Sequence, residues 1–426
     1  MPSPHESVID HERPLMASLQ DVPPDFRTPP RRSRQVRRLT SDAESLAVAH
    51  EVAGQIAQGA ILRDRERRLP HDEMDMLSDA GLLAITVPRA YGGAEVSAGT
   101  LAEVIAIIAA ADGSVGQIPQ NHFFMLEALR LQGSEQQKRF FYDRVLAGER
   151  LGNALSERGT KTAHHHDTRI VRNGGRYRVN GRKFYSTGVL FAHWIAVVGD
   201  DDDGRSVIAL IPSVSDGVTI IDDWSGFGQR TTGSGTTIFE NVDVHSFSIL
   251  SMQALFEQPT SMGPVAQIMH AAVDQGVARA ALADAIRFVR AYTRPWKDSN
   301  AEHGFEDPYI IAEVGAIQVS VSAGDALLAR AGLLTDEAIA RPSAESVAAA
   351  SIAVAEAKVA TTEAALLATS RLIELGGSRS TLAEFDLDRH WRNARTHTVH
   401  DPVRWKYRAI GDYWLNGIDP PRHGAL

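Results

Sequence analysis

No cysteine occurs among the 426 residues. That absence removes disulfides, thiolate catalysis, iron–sulfur clusters and cysteine-bound zinc, so any chemistry must run on oxygen and nitrogen side chains or on a borrowed cofactor. Unbroken apolar runs are also missing. None reaches the roughly 18–20 residues that cross a bilayer, and the N-terminus carries no hydrophobic stretch of the secretory kind, so the sequence predicts a cytoplasmic protein with no membrane partner. Positive charge is in deficit as well: the formal net charge of -9 argues against nucleic acid as a partner. Finally, there is no strand–Gly-x-Gly-x-x-Gly–helix cradle. The nearest match, Gly226-Phe-Gly-Gln-Arg-Thr231, lacks the third glycine and falls between β segments, which predicts a turn and no built-in nicotinamide site.

What is present is a large apolar fraction, 43%, enough to bury a sizeable core across two or three structural units. Residues 1–39 form an Arg- and Pro-rich leader, with Arg27, Arg31, Arg32, Arg34, Arg37 and Arg38, that has little to bury and is predicted to be flexible. Residues 40–150 read as helical, with segments near Ala43 to Gln58, His71 to Ala80 and Ala98 to Ala111. In 151–258 alternating apolar and polar residues separated by Asn173-Gly174-Gly175, Asn180-Gly181 and Asp200 to Gly204 predict a compact antiparallel β unit. From 259 to 426 helices return near 263–293, 308–335, 343–375 and 402–416. The third contains no Gly or Pro from Ser343 to Leu375 and repeats Val347, Val354, Thr361, Ala368 and Leu375 at seven, with Ala350 and Ala357 between; that Ala-rich seam predicts close packing in a four-helix bundle.

The residues most suited to chemistry lie before the last of these helices. His397 and His400 precede Asp401-Pro402, where Asp401 is placed to cap the helix and Pro402 to occupy its first position. The positive end of the helix dipole then favours a neutral His400 with one N–H to offer. His164, His165 and His166 are consecutive on an irregular stretch, whose side chains seldom converge on one ion, so no metal site is predicted.

The order helical unit, β unit, helix bundle resembles the acyl-CoA dehydrogenase superfamily: mainly α with a central β domain, here an N-terminal helical domain, a small antiparallel β-barrel domain and a C-terminal four-helix bundle. Gly152-Asn-Ala-Leu-Ser-Glu157 and Asn180-Gly-Arg-Lys-Phe-Tyr-Ser-Thr-Gly188 resemble the two flavin-contacting strand segments, and Gly228 to Val244 the hairpin closing the β domain. Tyr292-Thr-Arg294 resembles the arginine that meets a neighbouring subunit's flavin phosphate, and Glu374-Leu-Gly-Gly377 the glycine pair after the third bundle helix. The glutamate that removes a substrate α-proton in the dehydrogenases has no counterpart here: the C-terminal position reads Thr396-His-Thr-Val-His400, and the other places Gln275, or Asp274 if the register slips by one. The His-x-x-His pair instead is similar to the flavin-dependent monooxygenase branch, typified by dibenzothiophene monooxygenase and the sulfur-acquisition oxidoreductases linked to dimethyl sulfone use.

In that branch, the resemblance implies, reduced FMN arrives from a separate flavin reductase, binds O2 and forms a flavin hydroperoxide that oxygenates a small organosulfur compound, in a homotetramer built as a dimer of dimers. It further implies that His400 holds the flavin's reactive edge, with His397 orienting it or relaying a proton. Asn153 and Ser156 contact the ring edge, Thr187 donates near N5, and Lys183 and Ser186 lie on the same flavin-contacting segment. Arg294, Ser378 and Arg379 grip the phosphate. His122 either touches substrate or is a buried structural histidine, and Phe123, Phe124 and Met125 either line the pocket or pack in the core. The stretch Ser156 to Thr168 is a candidate lid. Two other readings remain open: an acyl-CoA dehydrogenase-like enzyme carrying FAD, and a noncatalytic scaffold of the same fold.

Overall fold

The computed structural model describes Val22, Pro23, Asp25, Phe26, residues 28–162 and residues 165–426. Arg27 and His164 therefore lie outside the described residues. The N-terminal unit comprises α1 (Asp42–Ala57), α2 (Ala60–Glu66), α3 (His71–Asp79), α4 (Ala98–Ala111), α5 (Gly113–Gln117), α6 (Gln120–Gln132) and α7 (Glu135–Leu146). The sheet follows as β1 (Leu151–Ala154), β2 (Arg169–Asn173), β3 (Arg176–Lys183), β4 (Trp194–Asp200), β5 (Ser206–Pro212), β6 (Val218–Ile221), β7 (Thr236–His245) and β8 (Ile249–Ser251). Then come α8 (Ala254–Glu257), α9 (Met262–Tyr292), α10 (Pro308–Ala340), α11 (Ala344–Gly376), α12 (Asp388–His397) and α13 (Val403–Asn416).

Local chemistry accounts for most of these boundaries. Ser41, Ser97, Ser134 and Ser343 each accept a hydrogen bond from a first-turn N–H of the helix that follows, satisfying donors that have no partner within the helix. α10 begins with Pro308 behind an Asp307 cap. The heptad positions of α11 are buried, with Val354, Thr361 and Ala368 at 0% exposure, and the small side chains let α11 pack closely on α9.

The sheet corrects one expectation. Its strand order is linear, β6-β7-β3-β2-β4-β5-β8 with β1 on β4, and it is mixed rather than antiparallel, because β1 runs parallel to β4, as does the single β2 pairing. β1 enters from the helical unit rather than from a hairpin, and nothing in its four residues records that direction. β4 and β5 are buried on both faces, which departs from the alternation expected of a sheet with one solvated face.

A second correction concerns the leader. Phe26 packs against Phe140, Trp194 and Phe247, Arg32 pairs with Asp75 and Asp79, and Arg144 donates to the Pro29 carbonyl at 2.6 Å. Arg31, Arg32 and Arg34 thus pair with acidic residues of α3 and α7, and the Arg32 side chain is buried in doing so. A third concerns apolar length: α10 is long and apolar enough, by length and composition, to cross a membrane, and only 17% of that window is buried. Hydropathy averaged over 18 residues finds what a search for unbroken runs passes over.

Buried histidines tie the units together. His122 on α6 donates from Nε2 to the Leu83 carbonyl at 2.7 Å and accepts from the Leu151 N–H at Nδ1, 3.1 Å, so it holds β1 to the helical unit. Burial pushes His122 and His193 each down to about 4, and burial likewise lowers His270, His390 and His397. Unfolded histidines take up a proton near pH 6.5 while these stay neutral, so the stability they confer is present above pH 6.5 and lost as pH falls toward 4. For His122 alone the difference corresponds to roughly 3 kcal/mol. Buried Asp386, raised by burial and by Asp64 to about 6, opposes this in part. Thermal melts at pH 7, 6, 5 and 4 are expected to show a steady decline through this window; a flat profile would contradict it.

Candidate functional site

Where the three units meet, a cavity of about 490 Å³ opens between α6, the end of β1, α8, α9 and the segments flanking α13. One wall is apolar, with Phe124, Leu155, Met252 and Phe256; another carries Asn121, Asn153 and Ser156; a third carries His270, His400 and Asp401.

The imidazole wall is the end of a buried chain. His270 and Asp274 lie one turn apart on the same face of α9. Asp274, fully buried, accepts from the Lys358 ammonium at 2.5 Å and from the Thr362 hydroxyl at 2.7 Å, both on α11, at Oδ2. Its Oδ1 accepts from Nδ1 of His397 at 2.5 Å. Nε2 of His397 then meets Nδ1 of His270 at 3.1 Å. The His400 ring lies against His270 with centroids 4.5 Å apart and the planes tilted by 31°, and its Nδ1 pairs with Asp401 at 3.1 Å. Burial works against ionisation of Asp274, but Lys358 and His397 hold its carboxyl well below the usual range.

Asp401 departs from its expected role. α13 begins at Val403 with no side-chain cap, because the Asp401 carboxylate turns inward to His400 and to the Gln267 amide, which donates at 2.9 Å. Charge-assisted partners in a buried setting outweigh a backbone N–H. Burial raises the Asp401 carboxyl, but His400, His270 and Lys406 together hold it far below its ordinary value. Gln267 is fixed in turn by Lys406, whose ammonium donates to its Oε1 at 2.8 Å.

The strand-end wall is organised by a strained turn. Tyr185 sits in the left-handed region at φ +59°, costly for a residue with a side chain by roughly 1–2 kcal/mol. The turn lets the Asn153 amide donate to the Tyr185 carbonyl at 3.3 Å and brings the Thr187 hydroxyl to Ser234 at 2.7 Å, itself 2.7 Å from Thr232. Ser186 Oγ, beside them, and Asn121 Oδ1, on the cavity wall, are buried with no partner among the described residues.

Of the residues singled out from sequence, His400, Asn153 and Ser156 line the cavity, with Thr187 and Ser186 on the turn beside Asn153. His397 does not line it; the ring lies behind His270. His122 does not either, since both its nitrogens bond backbone groups, which corrects its reading as a substrate contact in favour of a structural histidine. Lys183 is corrected likewise: fully buried, its ammonium donates to the Leu155 carbonyl at 2.9 Å and to Glu157 at 2.6 Å. Glu157 also accepts from the N–H groups of Asp167 and Thr168, so both ends of the expected lid are pinned. Phe124 lines the cavity; Phe123 and Met125 are core. Gln275 points at α10, donating to the Val321 carbonyl at 2.8 Å. Arg294, Ser378 and Arg379 are exposed at the other end of α9, where Arg379 lies over Tyr292. His270 was missed. Its only signal was the i, i+4 spacing from Asp274.

A helical unit, a central sheet and long C-terminal helices around a cavity walled by strand ends and imidazoles define a flavoprotein fold without a dinucleotide cradle. Family comparison matches residues 45–149 to the acyl-CoA dehydrogenase N-terminal domain and 268–405 to the C-terminal domain. The chain belongs to the acyl-CoA dehydrogenase superfamily, in its flavin-dependent monooxygenase branch. It is 32% identical over 399 residues to dibenzothiophene monooxygenase of Rhodococcus qingshengii, covering 90% of this chain and 96% of that one. Among solved structures it resembles FMN-bound TdsC of Paenibacillus sp. A11-2, with TM-score 0.86, 31% identity and coverage of 90% and 100%. It likewise resembles methanesulfinate monooxygenase MsuC of Pseudomonas fluorescens, with TM-score 0.83, 33% identity and coverage of 89% and 99%.

Proposed function

We propose that this protein is the oxygenase of a two-component system, using reduced FMN delivered by a separate flavin reductase, and O2, to oxygenate a small organosulfur compound in sulfur acquisition. For a thioether substrate the balance is reduced FMN, O2 and the thioether giving oxidised FMN, the sulfoxide and water. The observation that carries the reading is that the cavity wall beside His270 is built from imidazoles, while of the two acidic residues that line the cavity Asp401 is held ionised by His400, Gln267 and nearby positive charge and Glu257 is exposed and accepts from the Gln253 amide at 2.6 Å. A carboxyl so depressed is a poor acceptor for a thioester α-proton, and desaturation needs a positioned base of suitable proton affinity.

The site fits FMN. Two buried polar atoms without partners among the described residues, Asn121 Oδ1 and Ser186 Oγ, border the region where Asn153, Ser156 and the Thr187–Ser234–Thr232 hydroxyl chain would hold the edge of the flavin ring. When bound in reduced form with O2, the group supplies an electrophilic oxygen. His400 fixes the reacting edge, and Phe124, Leu155, Met252 and Phe256 seat the sulfur compound and keep water out. A cavity of about 490 Å³ shared between a flavin head and a substrate favours a small sulfinate, sulfide or sulfone.

The reading includes a dimer of dimers through the long C-terminal helices. Arg294 follows the end of α9, roughly 33 Å along the helix from His270 at 1.5 Å per residue, and meets only a neighbour's cofactor phosphate. The apolar outer face of α10, with Tyr309, Val319 and Leu333 exposed, suits such a contact.

The test is a coupled assay with a flavin reductase, O2 and a panel of small organosulfur compounds, products read by mass. Product is expected only when the reductase is present, and His400→Phe is expected to lower it by at least about 10²-fold with the fold intact. Anaerobic bleaching of bound flavin by an acyl-CoA, with no oxygenated product, would replace this reading with desaturation. FMN at 100 times its Kd is expected to stabilise the protein by about 2.7 kcal/mol; no stabilisation would favour the scaffold.

A further inference from the structure

We propose that His270 is the acid–base residue of this cavity, and that the Asp274–His397 pair behind it stores the proton His270 exchanges with the reacting oxygen. The inference rests on the oxygenase reading above. The overall reaction consumes no net proton, since both hydrogens of the reduced flavin end on water. The site must still take up the proton carried by the oxygen that is transferred to sulfur and deliver it to the oxygen that departs when the O–O bond breaks.

The geometry fixes where that proton resides. Lys358 and the Thr362 hydroxyl occupy Oδ2 of Asp274, so Oδ1 is left to accept from His397 Nδ1–H. His397 then has a bare Nε2, which accepts the Nδ1–H of His270 across 3.1 Å. The remaining nitrogen of His270, Nε2, has no protein partner among the described residues and belongs to the cavity wall.

When Nε2 takes up a proton, Nδ1–H passes to His397 Nε2. His270 is left neutral with its proton on Nε2, and His397 becomes an imidazolium beside an ionised Asp274. The reverse shift lends the proton back to the departing oxygen. Because Lys358 already balances Asp274, the uptake adds one positive charge to the buried cluster, and that charge is offset while the negative departing oxygen stands at the cavity wall, which drives the proton back to it. The charged and titratable groups around His270 are His397 of α12, Asp274 of α9, Lys358 of α11, Lys406 of α13 and His400 and Asp401 before it. His400 is half exposed and lies against His270, which gives exchange with bulk water a path.

Asp274 and His397 are positioning residues, and the variant Asp274→Asn reads their role directly. Lys358 has donors only, so the new amide must turn its oxygen to Lys358 and its NH2 to His397. His397 then carries its proton on Nε2, donates to His270 Nδ1, and forces the His270 proton onto Nε2. Solid-state NMR of cofactor-free protein with 15N-labelled histidine, assigned through His270→Gln, is expected to show His270 protonated at Nδ1 in the native chain and at Nε2 in Asp274→Asn.

In the coupled assay His270→Gln is expected to lose about 10²- to 10⁴-fold in oxygenated product, with O2 consumed as hydrogen peroxide. Native His270 protonated at Nε2, an unchanged tautomer in Asp274→Asn, or product from His270→Gln within about threefold of native would each overturn the proposal. If Asp274→Asn does not fold, the native spectrum and His270→Gln decide. If the native enzyme oxygenates nothing, the oxygenase reading has failed and this role with it, and the tautomer pattern separates that case from a relay that is absent.

Discussion

Lys358→Met is expected to destabilise the protein by about 3–5 kcal/mol, the range found when one partner of a buried ion pair is removed. Lys358 is 1% exposed and Asp274 0%. Methionine fills nearly the same volume but leaves the carboxylate with only Thr362 and a neutral imidazole in a setting where water cannot enter. The double variant Lys358→Met, Asp274→Leu is expected to recover most of the loss, because the cost lies in the stranded charge and not in the missing attraction. Denaturant midpoints of the two variants check this. A single variant as stable as the native chain would mean that Asp274 is not ionised, and the charge assignment of the whole relay would fall.

Gly276→Val is expected to cost about 3 kcal/mol, the upper range for overpacking, and to lower FMN binding together with stability. Gly276 lies in the middle of α9, where glycine is about 1 kcal/mol worse than alanine, and a Cβ added there would stand 2.3 Å from the Ala106 carbonyl oxygen and 2.8 Å from Ala109 Cβ on α4. Backbone cannot swing aside as a side chain can, so α4 and α9 must separate, and His270 and Asp274 move with α9. Gly276→Ala is expected to give the same effect at smaller size. Equal stability of all three forms would show that the contact between α4 and α9 is looser than these distances.

Much of the architecture was legible because periodicity and caps are local. The glycine- and proline-free run of α11 placed its boundaries within a residue or two, whereas β4 and β5, read as alternating strands, are buried on both faces. β1 was legible as a strand but not as a parallel one, since strand direction depends on where the chain comes from. The Arg-rich leader read as flexible because the partners of its arginines, Asp75, Asp79 and Asp143, lie about 40 to 110 positions away.

The site divides along the same line. The sequence by itself determined that the chain carries no thiol and no nucleotide cradle, and that its last helix is preceded by two histidines, all of which follow from composition and short-range spacing. Only the tertiary structure decided which imidazoles face the cavity. His397 and His400 look equivalent in the chain, yet α12 ends by turning one toward Asp274 and leaves the other at the cavity, and His270 enters from a helix more than a hundred residues earlier. Hydrogen-bond direction and burial, which set the proton on each ring, arise from atoms brought together by packing α9, α11 and α12, and no stretch of sequence contains that information.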